Sequence, residues 1–256
     1  NVMGFAKNEK LNENKWYRKA DGSLITPYQI YGRAKGYPEL FYCEGSTISL
    51  KGSTTRKIAF ERTSKQHVRI SQNTVKDSVL VEKMLMNKQN FKSAKDVDGF
   101  VPQASGLYCI RIKNVHLLPE PFGTILLERG HDILYIGIAS ENLYNRFLNQ
   151  ELRAKGHGTF FRSMGAVLGY KPPKGSLIEK RNKKNYKFSK TDELKIIGWI
   201  NENLMVNWVE SAGDLDSLET SLIVKYLPLL NLSKNPAALQ ILSYLRKECV
   251  EIANRN

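Results

Sequence analysis

The sequence predicts a mixed α/β (α+β) protein in two parts, and three observations carry that expectation. Short apolar runs of strand length, GLYCIRIKN at 106–114 and HDILYIGIA at 131–139, alternate with longer segments whose apolar residues recur at helical spacing. A stretch combining Asp, Gly, Pro and Ser, DVDGFVPQASG, reads as a linker near residues 97–105. Hydrophobic residues make up 41% of the chain and charged residues 25%, which suits a globular protein with a real core.

The first part, 1–104, reads as a smaller mixed α/β N-terminal domain. It is polar up to about Asn14 and then rich in aromatics: Trp16, Tyr17, Tyr28, Tyr31, Tyr37, Phe41 and Tyr42. Thr26–Pro27 has the form of a helix start, with Gly36 and Pro38 as its stop. STISLKG, RKIAFER and HVRIS alternate as strands do, and residues 74–88 carry Val75, Val79, Val81, Met84 and Leu85 at helical spacing.

The second part is 105–256. Its first two strands are joined by a long connection containing Pro and Gly. A helix is expected from about Glu141 to Lys155, capped by Ser140 and ended by Gly156. A short helix follows over Phe160 to Leu168, between Thr159 and Gly169. After a basic loop at 171–190 come a helix at 191–203, a strand at 204–210, a helix at 215–227 and a last helix from about 236 to 253.

A net charge of +14 and a pI near 9.6 direct attention to polyanions, of which nucleic acid is the usual one. The three cysteines, Cys43, Cys109 and Cys249, form no C-x-x-C pair, and the four histidines lack ligand spacing. That argues against a disulfide framework or a zinc site and suits a reducing cytoplasm. No apolar run approaches the length of a membrane span, and Asn1 to Lys19 lacks the apolar segment of a signal peptide, so no membrane association is expected.

Tyr108 lies on the first strand of the second part and Tyr135 on the next, and a strand tyrosine alone is ordinarily packing. Glu219 is more informative. Leu215, Leu218, Leu222, Ile223 and Tyr226 gather on one face of their helix, and Glu219 falls within that face. A carboxylate there must be paired, protonated or bound to a cation, and a salt bridge to a nearby lysine or arginine is the plain alternative to a metal. Arg146 shares a side of its helix with Gln150; it either snorkels to solvent or presents its planar fork to a phosphate. The loop KPPKGSLIEKRNKKNYKFSK holds eight Lys or Arg residues, among them Lys180, Arg181, Lys183 and Lys184, with one acidic residue and two aromatics. It is either a solvated loop or a surface for DNA phosphates.

In order along the chain, GLY (106–108), YIG (135–137), the Arg of LYNRF, the Glu of SLETSLI and the Asn of PLLN resemble the signature of the GIY-YIG nuclease superfamily. FFRSMGAVLG, followed later by LETSLIVKYLPLLNLSKNP, resembles its restriction-endonuclease-like branch. The resemblance spans about residues 105–245 and implies a small antiparallel sheet flanked by helices. It further implies that Tyr108 is the general base or orients the attacking water, and that Tyr135 holds the scissile phosphate or that water. Arg146 would stabilise transition-state charge, Glu219 would be the sole protein ligand of magnesium or manganese, and Asn231 would brace the site or contact substrate. A phenol with a pKa near ~10 is a poor base, and the nearby guanidinium and metal are expected to lower it. Gln150 stands where many members carry His, with His157 one loop further on as a substitute, and Ile138 stands where many carry Lys. Arg162 of FFRSMG is a further candidate for phosphate contact, or else a surface arginine.

The resulting expectation is a divalent-metal-dependent endonuclease acting on double-stranded DNA. It would be of restriction type, sequence- or modification-dependent, with residues 1–104 as a target-recognition module and a homodimer on DNA as one arrangement. A structure-selective repair nuclease, and a non-catalytic DNA-binding protein with a decayed nuclease fold, are the alternatives.

Overall fold

The computed structural model describes Tyr17–Arg18, Leu24–Ile25 and residues 78–256. By backbone contacts the chain divides into two units, 1–66 and 67–256. In the first, β1 (Tyr17–Arg18) pairs antiparallel with β2 (Leu24–Ile25). The helix expected at Thr26–Pro27 and the strands STISLKG, RKIAFER and HVRIS lie outside the described residues.

The second unit is built on a four-stranded sheet. A helix α1, described over 78–86, precedes β3 (Lys92–Ser93) and β4 (Gly106–Ile112). Then come α2 (Phe122–Glu128), β5 (Ile133–Ala139), a π-helix at Tyr144–Leu152 and α3 (Thr159–Val167). α4 (Lys190–Asn203), β6 (Leu204–Glu210), α5 (Leu215–Tyr226) and α6 (Gln240–Asn254) complete the order. The strands run β3-β6-β4-β5 with every pairing antiparallel, so the expected small antiparallel sheet flanked by helices is present.

Side chains alternate across a strand, and this sheet is covered on both faces. Tyr108, Ile110 and Ile112 of β4 enter one core with Phe147, Phe160, Ile196 and Leu242. Leu107 and Cys109 enter the other with Leu85, Leu222 and Ile223. Double coverage explains why β4 and β5 read as nearly unbroken apolar runs. Asparagine supplies a second device. Asn231 accepts from the Ile136 amide at 3.0 Å and donates to the Ile136 carbonyl at 2.8 Å, so the PLLN segment pairs with the outer edge of β5.

Four expectations need correction. The boundary read at 97–105 lies inside the second unit: β3 pairs with β6, and Val97 and Val101 are buried in the sheet's core. Composition mistook a polar connection carrying two anchoring valines for a linker. The helix expected from Glu141 is instead a π-helix with Leu143 at its N-cap, and the side chain of Asn142, not of Ser140, accepts from the Asn145 amide at 3.0 Å in the turn that opens it. α6 begins at Gln240 and not near 236, because Asn235 closes a turn onto the Ala237 and Ala238 amides. The connection between β4 and β5 contains α2, which packs Phe122 and Leu126 into the core.

Candidate active site

The register of β4 on β5 places Tyr108 opposite Gly137. A Cβ at residue 137 would meet the Tyr108 ring and hydroxyl at 2.5 Å, so glycine is what lets that ring lie across β5. Tyr135 is two residues away on the same strand, and the two rings stack with centroids 6.2 Å apart. Phe147 of the π-helix stacks on Tyr108 at 4.7 Å, and Phe160 of α3 tilts against Tyr135 at 5.7 Å. Two strands and two helices thereby converge on the tyrosine pair.

Arg146 reaches this pair from the π-helix. Its Nη2 lies 2.9 Å from Glu151 Oε1 and 3.5 Å from Thr159 Oγ1, and its Nη1 donates to Gln150 Oε1 at 3.0 Å. The Tyr108 hydroxyl donates to the same Glu151 oxygen at 3.4 Å. Glu151 Oε2 accepts from the Phe160 and Phe161 amides at 2.8 and 3.3 Å. Glu151 is fully buried.

Electrostatics follow from this dryness. Burial, with Glu151 next, pushes the Tyr108 hydroxyl well above its ordinary value; Tyr135 is raised by the same two causes. Arg146 pulls both down but does not prevail. The guanidinium by itself therefore does not lower the Tyr108 phenol: the low dielectric and a neighbouring carboxylate outweigh it. Tyr108 is also without solvent exposure, and its hydroxyl donates to Glu151. Tyr135 is 7% exposed, and its hydroxyl makes no hydrogen bond among the described residues. Burial also raises the Glu151 carboxyl, against the pull of Arg146 and three backbone amides. Burial works to lower the Arg146 guanidinium, but Glu151 and the two tyrosines raise it, so it stays a cation.

Glu219 lies on the inner face of α5 as the helical spacing implies, among Leu215, Leu222 and Ile223. Its charge is felt at both tyrosines. Its Oε2 is 2.7 Å from Lys234 Nζ, which also meets Asp216 Oδ1 at 2.5 Å. The salt bridge anticipated as the plain alternative is therefore present. Lys234 holds a left-handed backbone at φ 63°, a conformation that costs a non-glycine residue about 1 kcal/mol. Among the described residues no group of three or more His, Cys, Asp and Glu gathers as a metal cage.

The remaining candidates divide. Gln150 joins the cluster through Arg146, and Asn231 braces β5 from behind. His157 is exposed and contributes its carbonyl to Arg162 at 3.4 Å; burial, then Lys187 and Arg162, keeps its imidazole below the ordinary value. Arg162 is only 9% exposed. Its guanidinium is committed to Gly158 O at 3.2 Å, Lys184 O at 3.1 Å and Asn185 Oδ1 at 2.9 Å, which makes it a pin for the basic loop and not a free phosphate contact. Lys180, Arg181 and Lys184 project from that loop into solvent, whereas Lys183 bends back onto the Leu177 and Ile178 carbonyls. Its aromatics, Tyr186 and Phe188, are core residues and not stacking platforms.

Sequence reasoning missed Glu151, Thr159, Lys234 and Arg246, whose Nη1 donates to Thr159 O at 3.0 Å and Ser163 Oγ at 2.8 Å. For Glu151 one signal existed: a lone acid among Phe147, Leu148 and Leu152 in a segment read as helix.

The family model of the GIY-YIG catalytic domain matches residues 106–248, more than half of the chain. No curated protein and no solved structure matches it.

Proposed function

This chain belongs to the family of GIY-YIG catalytic domains, which are nucleases, and from that premise we propose that it is a divalent-metal-dependent DNA endonuclease of restriction type. The observation that carries the proposal is Arg146. Its guanidinium is locked by Glu151 and Gln150 beside two stacked tyrosines, yet its side chain remains 33% exposed. A fixed, partly open fork of donors suits a phosphate whose charge grows in the transition state.

The donor set fits a magnesium or manganese ion. Glu219 Oε2 already holds a cation, the Lys234 ammonium, and its Oε1 has no hydrogen-bond partner among the described residues. One carboxylate is sufficient for an ion that keeps several waters and takes phosphate oxygens from substrate. When bound, such an ion would activate water and neutralise phosphate charge.

The protein's own groups do the rest. Arg146 binds the non-bridging oxygens of the scissile phosphate. Tyr135, whose hydroxyl has no hydrogen-bond partner among the described residues, orients the attacking water or that phosphate. Asn231 keeps β5, and with it Tyr135, in register. Lys180, Arg181 and Lys184 supply sequence-blind affinity for the duplex backbone. The N-terminal unit, 1–66, selects the target, and a double-strand break by one site per chain calls for two chains on the DNA or two successive nicks.

The test is cleavage of supercoiled plasmid, genomic DNA with and without modified cytosine, and RNA, each with magnesium or manganese. Discrete DNA fragments from the wild type, lost in Glu219→Ala and without metal, are expected. Binding without cleavage on every substrate would sink the proposal.

A further inference from the structure

Glu151 is the one acidic residue of the site with no exposure at all, and it lies among Phe147, Leu148, Leu152 and Phe160. A carboxylate in such surroundings is tolerated only with full pairing, and an apolar residue of similar size is often equally stable there. Its two oxygens do different things. Oε2 accepts from the Phe160 and Phe161 amides, the second and third residues of α3. Those are the bonds that a helix's own N-cap side chain normally makes. The N-cap of α3 is Gly158, which has no side chain, and a Cβ there would overlap both the Gln150 backbone carbonyl and Glu151 Oε2. Glycine at 158 thus clears the path for a cap delivered from another helix.

A side chain at 158 cannot make this cap itself, because its Cβ would overlap the Gln150 carbonyl. What the distant carboxylate adds is its second oxygen, which takes Arg146 Nη2 at 2.9 Å and the Tyr108 hydroxyl at 3.4 Å. Local helix geometry makes this reach available. Five residues on an α-helix put side chains about 140° apart, whereas i→i+5 hydrogen bonding brings them close to one full turn. The π-helix at Tyr144–Leu152 therefore places Arg146 and Glu151 on one side. Only a carboxylate serves both ends, because an amide would turn an N–H toward either Arg146 or the α3 amides.

We propose that Glu151 is the positioning residue of this site, tying the guanidinium of Arg146 to the frame of α3 and β4 in the orientation that meets the scissile phosphate. This rests on the nuclease reading above. Arg146 is presented to substrate, Tyr108 acts behind it through Glu151, and Glu151 itself touches no reacting atom.

The experiment combines steady-state DNA cleavage with 15N NMR of arginine guanidinium groups in the metal-free full chain. Glu151→Gln is expected to lower kcat about 100-fold, the usual consequence of a small misplacement, with KM for DNA changed by less than about twofold. Guanidinium ion added to Arg146→Ala should restore part of the cleavage, and none to Arg146→Ala with Glu151→Gln. Separate Nη signals of Arg146 in the wild type should merge in Glu151→Gln. Wild-type kcat in folded Glu151→Gln, or equal rescue of single and double variants, overturns the proposal. Should Glu151→Gln fail to fold, Glu151→Asp keeps the charge but withdraws it by one methylene. It should show the same fall in kcat and the same merging, and wild-type values for both would refute the assignment. A wild type that cuts nothing defeats the nuclease reading, and the Nη signals then still decide whether Glu151 holds Arg146.

Discussion

Two glutamates bear on the same pair of tyrosines, and they are held in opposite ways. Glu151 is dry, with four donors on two oxygens, two of them backbone amides that cannot move without α3. Glu219 keeps 13% of its side chain exposed and holds one ammonium, Lys234, which it shares with an Asp216 side chain that is 75% exposed. In a low-dielectric interior a satisfied ion pair is rigid and a broken one is expensive; near solvent the same pair is weak and exchangeable. One carboxylate chemistry thus yields an enclosed, many-partnered group at 151 and a singly paired, partly exposed one at 219, and the environment decides which.

The largest expected break in that contrast is Arg146→Ala. It leaves Glu151 buried without its cationic partner, so thermal or urea unfolding should report a loss of about 3 kcal/mol, and cleavage should fall by about 100-fold to 1,000-fold. Glu219→Ala should remove cleavage and divalent-metal binding while lowering stability by less than about 1 kcal/mol, since its pair is partly exposed. A similar stability loss in both variants would erase the distinction.

Titration sharpens it further. Burial raises the Glu151 carboxyl above its ordinary 4.5, so the folded state holds its proton longer than the unfolded chain does. Its contribution to stability is therefore full below 4.5 and declines as pH rises through the raised value. Lys234 is subject to burial, which lowers it, but its hydrogen bonds to Asp216 and Glu219 raise it above the ordinary 10.5. Its contribution is full below 10.5 and is lost only as pH climbs through the raised value. Unfolding measured across pH in Glu151→Gln should lack the decline that sets in as pH rises above 4.5, and in Lys234→Met the alkaline one. The smallest effect expected is on metal affinity. Lys234→Met removes a competing cation, and half-maximal cleavage should need about threefold less magnesium. An unchanged requirement would mean that Lys234 does not compete.

Much of the frame was legible because it rests on local pattern. The strands at 106–112, 133–139 and 204–210 announce themselves by apolar runs buried on both faces, and the inward placement of Glu219 follows from helical spacing alone. The partners were not legible. Arg162 reads as a surface arginine until the basic loop, 22 and 23 residues further on, returns to enclose it. Lys234 meets Glu219 from 15 residues away, across a turn that no periodicity describes.

By itself the sequence determined the family, the sheet and the order of Tyr108, Tyr135, Arg146, Glu219 and Asn231, because each depends on residue type at short range or on order along the chain. Tertiary structure alone decided that Tyr108 is sealed from solvent, that Glu151 joins Arg146, Tyr108 and the α3 amides, and that Gly158 leaves room for it. The reason is physical. Burial and hydrogen-bond partnership are properties of segments brought together from across the chain, and they set the charge state and freedom of a group whose identity the sequence merely states.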